Sequence, residues 1–275
     1  MTIPKYEELG KRTNQILTGY YDQGKYYVKI NAKTVANNCQ FESRIDPTGN
    51  RASFATKMDI SGDYGIQMQM KWNTDNVLFG EVALVDSLFL GSRVGLTGSL
   101  QPKTGELGSA LTANLMRSSL RADVSMVNEK GNTECNNSMV MKFGGWLFGY
   151  QCQGTHWNEM IKTGVPCIAY IDGNIEASIN KSGKALMGTL LNKAKSDLET
   201  TARFNYDGQK SSLELGCVLK NFCGHQLMAK IDTNTVVGVG LIVNLSPGIV
   251  ITLNGQMSGK TLNNPKTSLG VEFQF

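Results

Sequence analysis

Charge is scarce in this chain. Asp, Glu, Lys and Arg make up 18% of 275 residues, and 27 basic against 23 acidic residues leave a net +4. Basic residues never run beyond the pair Lys11-Arg12, so the clustered cations that a nucleic-acid binder needs are missing and no nucleic-acid partner is expected. Histidine is almost absent: His156 and His225 are the two, and neither stands at catalytic or metal-ligand spacing from a Ser, Cys or carboxylate. Gly238-Val-Gly240 lacks the rest of a dinucleotide fingerprint, and Gly183-Lys184 lacks the upstream glycine of a phosphate loop. These gaps point away from an enzyme, and no cofactor or metal is expected. No stretch of about 18 apolar residues could form a spanning helix. Lys5, Glu7 and Glu8 stand where a signal peptide needs its apolar core. The six cysteines are scattered without a C-x-x-C and read as unpaired thiols of a non-secreted protein. Proline numbers only 6 against 30 glycines. That imbalance suits many strands joined by tight turns, because glycine reaches positive φ cheaply while proline removes ladder donors.

What the chain has in quantity is alternation. Val28, Ile30 and Ala32 alternate with Lys29, Asn31 and Lys33, and Ile66, Met68 and Met70 alternate with Gln67, Gln69 and Lys71. The same period of two returns at Leu120 to Met126, Ile175 to Ile179, Leu213 to Leu219, Ile249 to Leu253 and Leu269 to Phe275. Each run reads as a strand with one apolar and one polar face. Asp46-Pro-Thr-Gly49, Gln101-Pro-Lys-Thr-Gly105, Tyr206-Asp-Gly208 and Ser246-Pro-Gly248 supply turns between them.

A soluble sandwich and a membrane barrel both use such strands. A sandwich presents dense charge to solvent, whereas the polar positions here are mostly Gly, Ser, Thr, Asn and Gln. That favours an all-β membrane-spanning barrel whose apolar face meets lipid and whose polar face lines water. At about 10 residues per strand, residues 25–275 hold about 19 strands, a ring wide enough for an aqueous channel. The first 24 residues differ. Tyr6, Leu9, Thr13, Ile16 and Leu17 recur at helical spacing, so a short amphipathic helix is expected, followed by a hinge between Gly19 and Gly24. Periodicity alone leaves open whether that helix lies on a membrane surface or inside the barrel. Residues 1–24 and 25–275 are read as helix-plus-hinge and barrel of one structural domain.

Five segments then carry a resemblance: Tyr6-Glu-Glu-Leu-Gly-Lys11, Lys71-Trp-Asn-Thr-Asp-Asn76, Gly145-Trp-Leu-Phe-Gly-Tyr-Gln151, Ser246-Pro-Gly248 with the strand leading to Gly259-Lys260, and Leu269-Gly-Val-Glu-Phe-Gln274. In kind and in order they resemble the mitochondrial porins, the voltage-dependent anion channels, across nearly the whole chain. The final strand, with Ser268, Gly270, Phe273 and Phe275, is similar to the sorting signal of mitochondrial outer-membrane barrels. The resemblance implies a barrel in the mitochondrial outer membrane with the helix inside its pore. It also implies a voltage-gated, weakly anion-selective channel passing chloride, ATP, ADP and other small metabolites among membrane lipids, with self-association into homo-oligomers. A protein-import pore of the same superfamily is the alternative, and it typically carries a longer polar N-terminal extension.

On the strands that can be phased, nine basic lumen positions, among them Lys29, Lys71, Arg93, Arg121 and Lys230, face seven acidic ones, and Lys5, Lys11 and Arg12 against Glu7 and Glu8 add one more positive charge. Weak anion preference is the expectation. The family's nucleotide-associated Gly-Leu-Lys stands here as Gly91-Ser92-Arg93, so Lys11, Arg12, Gly91, Ser92 and Arg93 are the expected nucleotide contacts, with a planar guanidinium in place of an ammonium. Two departures mark a divergent member. Met70 stands where animal members often carry a lipid-facing glutamate, and Tyr20-Tyr-Asp-Gln23 fills the glycine-rich hinge.

Overall fold

The computed structural model describes all residues except 1–2, 20, 22–25, 35–38, 47–50, 62–64, 73–76, 87–89, 103, 130–131, 156–163, 247, 260 and 275. A broken helical segment comes first: a 3₁₀ turn at Tyr6–Glu8, α1 at Lys11–Asn14 and a π-helical turn at Gln15–Gly19. Among the described residues, strands follow without interruption by other elements. They open with β1 (Tyr26–Thr34), β2 (Cys39–Asp46), β3 (Arg51–Ser61), β4 (Ile66–Trp72), β5 (Leu78–Val85) and β6 (Ser92–Gln101). The middle of the chain forms β7 (Glu106–Met116), β8 (Leu120–Glu129), β9 (Asn132–Phe143), β10 (Trp146–Gly154), β11 (Val165–Asp172), β12 (Ile175–Ser182) and β13 (Ala185–Lys195). The last third forms β14 (Leu198–Tyr206), β15 (Ser211–Phe222), β16 (His225–Asp232), β17 (Val236–Ser246), β18 (Ile249–Ser258) and β19 (Thr261–Gln274).

Each strand pairs antiparallel with the next, and β1 pairs with β19, so the described strands form one 19-stranded sheet closed on itself. Strands that alternate in direction and are odd in number leave the first and last running the same way. The closing pair is therefore parallel, in register from Tyr26 opposite Leu269 to Asn31 opposite Gln274. Closure is what lets an all-β chain sit in hydrocarbon, because every ladder donor and acceptor finds a partner and no edge remains. Among the described residues no helix is long and apolar enough to cross a membrane, a statement that does not touch strands.

The period of two has become inside and outside. Met68, Met70, Val82, Leu96, Leu111, Ile168, Ile179, Leu215 and Val239 are exposed on the outer surface, with Met70 at 53%. The sequence neighbours of Val82, Leu96, Leu111, Ile168, Ile179, Leu215 and Val239 turn inward and are half-buried or buried. An exposed apolar surface of this extent is stable only against another apolar phase, here lipid. The outer aromatics Trp146 and Tyr150 are 51% and 39% exposed, as expected of side chains at a lipid surface.

Candidate functional site

The helical segment lies inside the ring, pressed against one wall of it. Tyr6, Leu9, Thr13, Ile16 and Leu17, the stripe read from the sequence, are all buried, with Ile16 and Leu17 fully so. Tyr6 and Leu9, with Ile3, pack on Val140, Leu147, Cys167 and Ala169 of β9 to β11. Ile16 and Tyr21 pack on Leu191, Val218 and Met228 of β13, β15 and β16. The segment is thus a partial lining, running along the wall from β8 to β17.

Glycine makes this seat possible. Gly149, Gly216 and Gly238 point into the lumen between outward residues, and a Cβ at each would stand 2.9 Å from Tyr6, 2.8 Å from Leu17 and 2.8 Å from Tyr21 respectively. The segment itself bends at Gly10, whose φ of 73° is left-handed backbone that favours glycine. There Gly10 abuts the hydrogen-bonded pair Ser178 and Thr189. The sequence suggests one continuous helix with a hinge after it; the bend seen among the described residues falls inside the segment, at Gly10. Gly19 ends the π-helical turn, and Gly24 lies outside the described residues.

Polar contacts fasten the segment at intervals. The Tyr6 hydroxyl donates to the Val165 carbonyl at 2.9 Å, and Arg121 of β8 donates to the Ile3 carbonyl at 3.2 Å. Arg12 donates to Glu199 of β14 at 2.6 Å, and Lys220 of β15 reaches the other Glu199 oxygen at 2.5 Å. Arg203 donates to the Asn14 side chain at 2.9 Å. Lys230 donates to the Leu17 carbonyl at 2.9 Å while its ammonium stands 4.4 Å from the Tyr21 ring centre. Burial pushes the Tyr6 phenol up to about 12, with the neighbouring Cys167 adding to the effect, and burial likewise raises Tyr21.

Lumen charge is largely cancelled in pairs. Arg93 bonds Glu81 at 2.5 Å, Arg121 bonds Asp123 at 3.1 Å, Arg203 bonds Glu214 at 2.6 Å and Lys193 bonds Glu176 at 2.5 Å. Lys193 is a lumen cation that phasing of the sequence leaves out; its inward position follows from the alternation with buried Leu191. Lys5 and Lys11 are exposed, and neither pairs with an acid among the described residues. Lys29 stands on β1 opposite Glu272 in register, and Lys71 on β4 opposite Lys57.

The expected nucleotide contacts do not come together. Arg12 is held at β14, while Arg93 is held by β5, eight strands away from β14 at β6. Ser92 is buried, and Gly91 sits in the turn before β6 with its N–H donated to Asp86 at 2.6 Å. In the final strand Ser268 and Gly270 face inward and are buried, Phe273 is half-buried in the outward register, and Phe275 lies outside the described residues. His156 also lies outside them. Among the described residues no group of three His, Cys, Asp or Glu is placed to hold a metal. Sequence reasoning missed Ile3, Tyr21 and the glycine seat; inward-register glycines between outward apolar residues were the available signal.

A closed barrel with an apolar exterior and a lumen holding the chain's own N-terminal segment is matched by one family model, described as eukaryotic porin, over residues 2–270. The chain belongs to the eukaryotic porin family. This porin is 26% identical over 98% of its length to the human protein named non-selective voltage-gated ion channel VDAC1, of which it also covers 98%. It is 27% identical to the turkey protein named non-selective voltage-gated ion channel VDAC2, over 98% of this chain and 94% of that one. Among solved structures, a mutant of the Rh. blastica porin aligns over 83% of this porin and 89% of its own chain at 10% identity and a TM-score of 0.44, too distant a likeness to add to the assignment.

Proposed function

We propose that this chain is a voltage-gated channel of the mitochondrial outer membrane that passes small ions and metabolites, ATP and ADP included, and does no chemistry on them. The observation that carries the reading is the segment at residues 3–21 seated on the lumen wall of a closed ring, an element that narrows a water-filled path. The relatives' names supply the voltage-gated ion channel class; the resemblance of the last strand to a sorting signal supports the location. Residues 1–24 and the barrel act as one unit, because most of the segment's apolar side chains have their partners on the wall.

Selectivity in this reading is slight. Paired arginines and carboxylates contribute little net field, and Arg12 and Lys220, which share the one carboxylate of Glu199, leave a small positive excess that favours anions weakly. Nucleotides are guided in transit by that excess, with lipid around the barrel and a second copy of the chain as a neighbour in the membrane. The test is reconstitution of refolded protein into a planar bilayer under a salt gradient. Large conductance steps that close at high voltage of either sign, with a reversal potential slightly on the anion side, are expected. A closed barrel giving small or ungated currents would overturn the channel reading.

A further inference from the structure

The lumen is not uniformly satisfied. On the wall from β11 to β16 the inward polar side chains bond to one another or to the segment: Ser178 with Thr189 at 2.6 Å, Thr201 with Thr13 at 2.9 Å, Arg203 with Glu214. On β7 to β10 several of them do not. There Asn114, Asp123, Ser138 and Gln151 stand directly across from one another in one row, and Thr112, Ser125 and Asn136 form the next row along the strands. Asp123 is held by Arg121 and Thr112 bonds the Gly95 carbonyl at 3.3 Å. The side chains of Asn114, Ser125, Asn136, Ser138 and Gln151 make no hydrogen bond to any described residue. With Lys5 and Glu7 of the N-terminal segment on their other side, they line a crevice of about 150 Å³.

We propose that this crevice is a binding site for small neutral polyols, a sugar ring or a linear polyhydric alcohol. Three points fix the class. The open groups are carboxamides and hydroxyls, each able to donate and to accept, and a polyol's hydroxyls do the same; an anion would need donors alone and a metal cation acceptors alone. The charges at the rim cancel, Lys5 against Glu7 and Arg121 against Asp123, so no net field selects an ion. The scale fits as well: four strands set about 4.8 Å apart carry a row about 14 Å long, and two rows lie about 7 Å apart along the strands, the footprint of one sugar ring with room to slide. Binding is weak, because the crevice opens to water and the ligand exchanges solvent hydrogen bonds for protein ones. In a channel, such a site concentrates neutral solutes beside the segment. The proposal rests on the channel reading only in requiring a water-filled lumen.

The experiment is saturation-transfer NMR on the full-length protein refolded in detergent, with sorbitol and glucose as probes and with betaine and potassium phosphate as competitors. Transfer to both polyols is expected, and about a five-fold loss of it in Asn114→Ala/Asn136→Ala. Thr97→Ala, on the neighbouring lumen face of β6, should leave it unchanged. Wild-type ion conductance certifies the double variant as folded, and Gln151→Ala serves if that variant fails to form a barrel. No transfer, transfer that survives the substitutions, or competition by betaine or phosphate at lower concentration than the polyols would each overturn the proposal. A conducting channel without transfer sinks this site alone; transfer to a barrel that conducts nothing sinks the channel reading and leaves the site.

Discussion

Two walls of the same barrel are built from the same alternating strand and end in opposite chemistry. From β8 to β17 the inward positions under the segment include a run of small or apolar ones, Val140, Leu147, Gly149, Cys167, Ala169, Leu191, Gly216 and Val218, nearly all buried, and polar ones, Ser178, Thr189, Glu199, Thr201 and Arg203, that bond to the segment or to one another. From β5 to β7 they include Glu81, Arg93, Thr97, Thr112 and Asn114, which are polar and half-buried. The outward faces of the two walls are alike. The difference teaches that a barrel's inner face is set by what stands against it, water on one side and the chain's own segment on the other. Where the segment lies, burial of its apolar stripe replaces hydration, and the wall's glycines bring the two backbones close.

The sharpest way to break the comparison is to fill the seat. Gly149→Leu puts its first carbon 2.9 Å from the Tyr6 ring, and overpacking of this kind costs about 1–3 kcal/mol. Because the segment is held by side-chain contacts and the wall by its strand ladder, the cost falls on docking. Trypsin cleavage at Lys5, Lys11 and Arg12 should rise about ten-fold or more, with loss or a marked shift of voltage-dependent closure. Gly80→Leu, on the outward face of β5 with nothing within 4 Å of its added carbon, should leave both unchanged. Equal effects at the two glycines would mean that the walls do not differ as described.

Next in size is the ion pair that joins segment to wall. Glu199 is buried between Arg12 and Lys220, and Glu199→Gln leaves both cations without their counter-charge. Loss of charge-assisted bonds at a buried carboxylate costs about 2–3 kcal/mol. Its counterpart on the bare wall, Glu81→Gln in the ion pair with Arg93, is a solvated pair and should cost about 0–1 kcal/mol. Thermal melting in detergent, followed by cleavage of the segment, separates the two. A Glu199→Gln protein as well docked as wild type would reduce that contact to a surface pair.

How much of this was legible in the residues depended on whether one partner or two set the pattern. The strands at Ile66 to Trp72 and Leu213 to Leu219 could be read because lipid and water are opposite solvents, and the segment's buried stripe from Tyr6 to Leu17 because helical spacing is a one-element signal. On β10 and β11 alternation fades: Leu147 and Phe148, or Ile168 and Ala169, are apolar on both sides because the segment supplies a second apolar surface. A resemblance bridged those strands; periodicity could not. Gly10 was read past because a single glycine within helical spacing is compatible with a continuous helix, and only its position between Ser178 and Thr189 selects the left-handed bend. The grouping of Lys11 and Arg12 with Gly91-Ser92-Arg93 came from motif alone, and motif carries no distance around a ring.

A pH titration tests the seat without any substitution. The Tyr6 phenol ionises at about 12 in the docked state against about 10 in an open chain. A raised value in the folded state means that the stabilisation is fully present below about pH 10 and is lost as pH climbs from about 10 to about 12. Segment cleavage should therefore stay flat to about pH 10 and then increase, while the strands of the bare wall keep their β-sheet signal. Tyr6→Phe removes the bond to the Val165 carbonyl, costs about 1 kcal/mol and flattens the Tyr6 contribution to that alkaline response. An unchanged profile in Tyr6→Phe would assign the response to another group.

The smallest effects belong to selectivity. A permeating ion feels the summed field within about 8 Å at physiological salt, so a cation bound to a carboxylate is nearly silent and an unpaired one is heard. Lys11→Gln and Arg93→Gln should therefore both lower the anion-to-cation permeability ratio, the former by removing a cation with no acid partner among the described residues and the latter by unmasking Glu81. Both changes should stay under about two-fold and shrink further in high salt. To separate pairing from position, Glu81→Gln is compared with Arg93→Gln: removing the acid unmasks Arg93 and moves the reversal potential toward anions, removing the base unmasks Glu81 and moves it toward cations. Shifts of the same sign would show that the pair does not stand in the permeation path, and the bare wall would then owe its polar face to folding in water instead of to the ions that pass it.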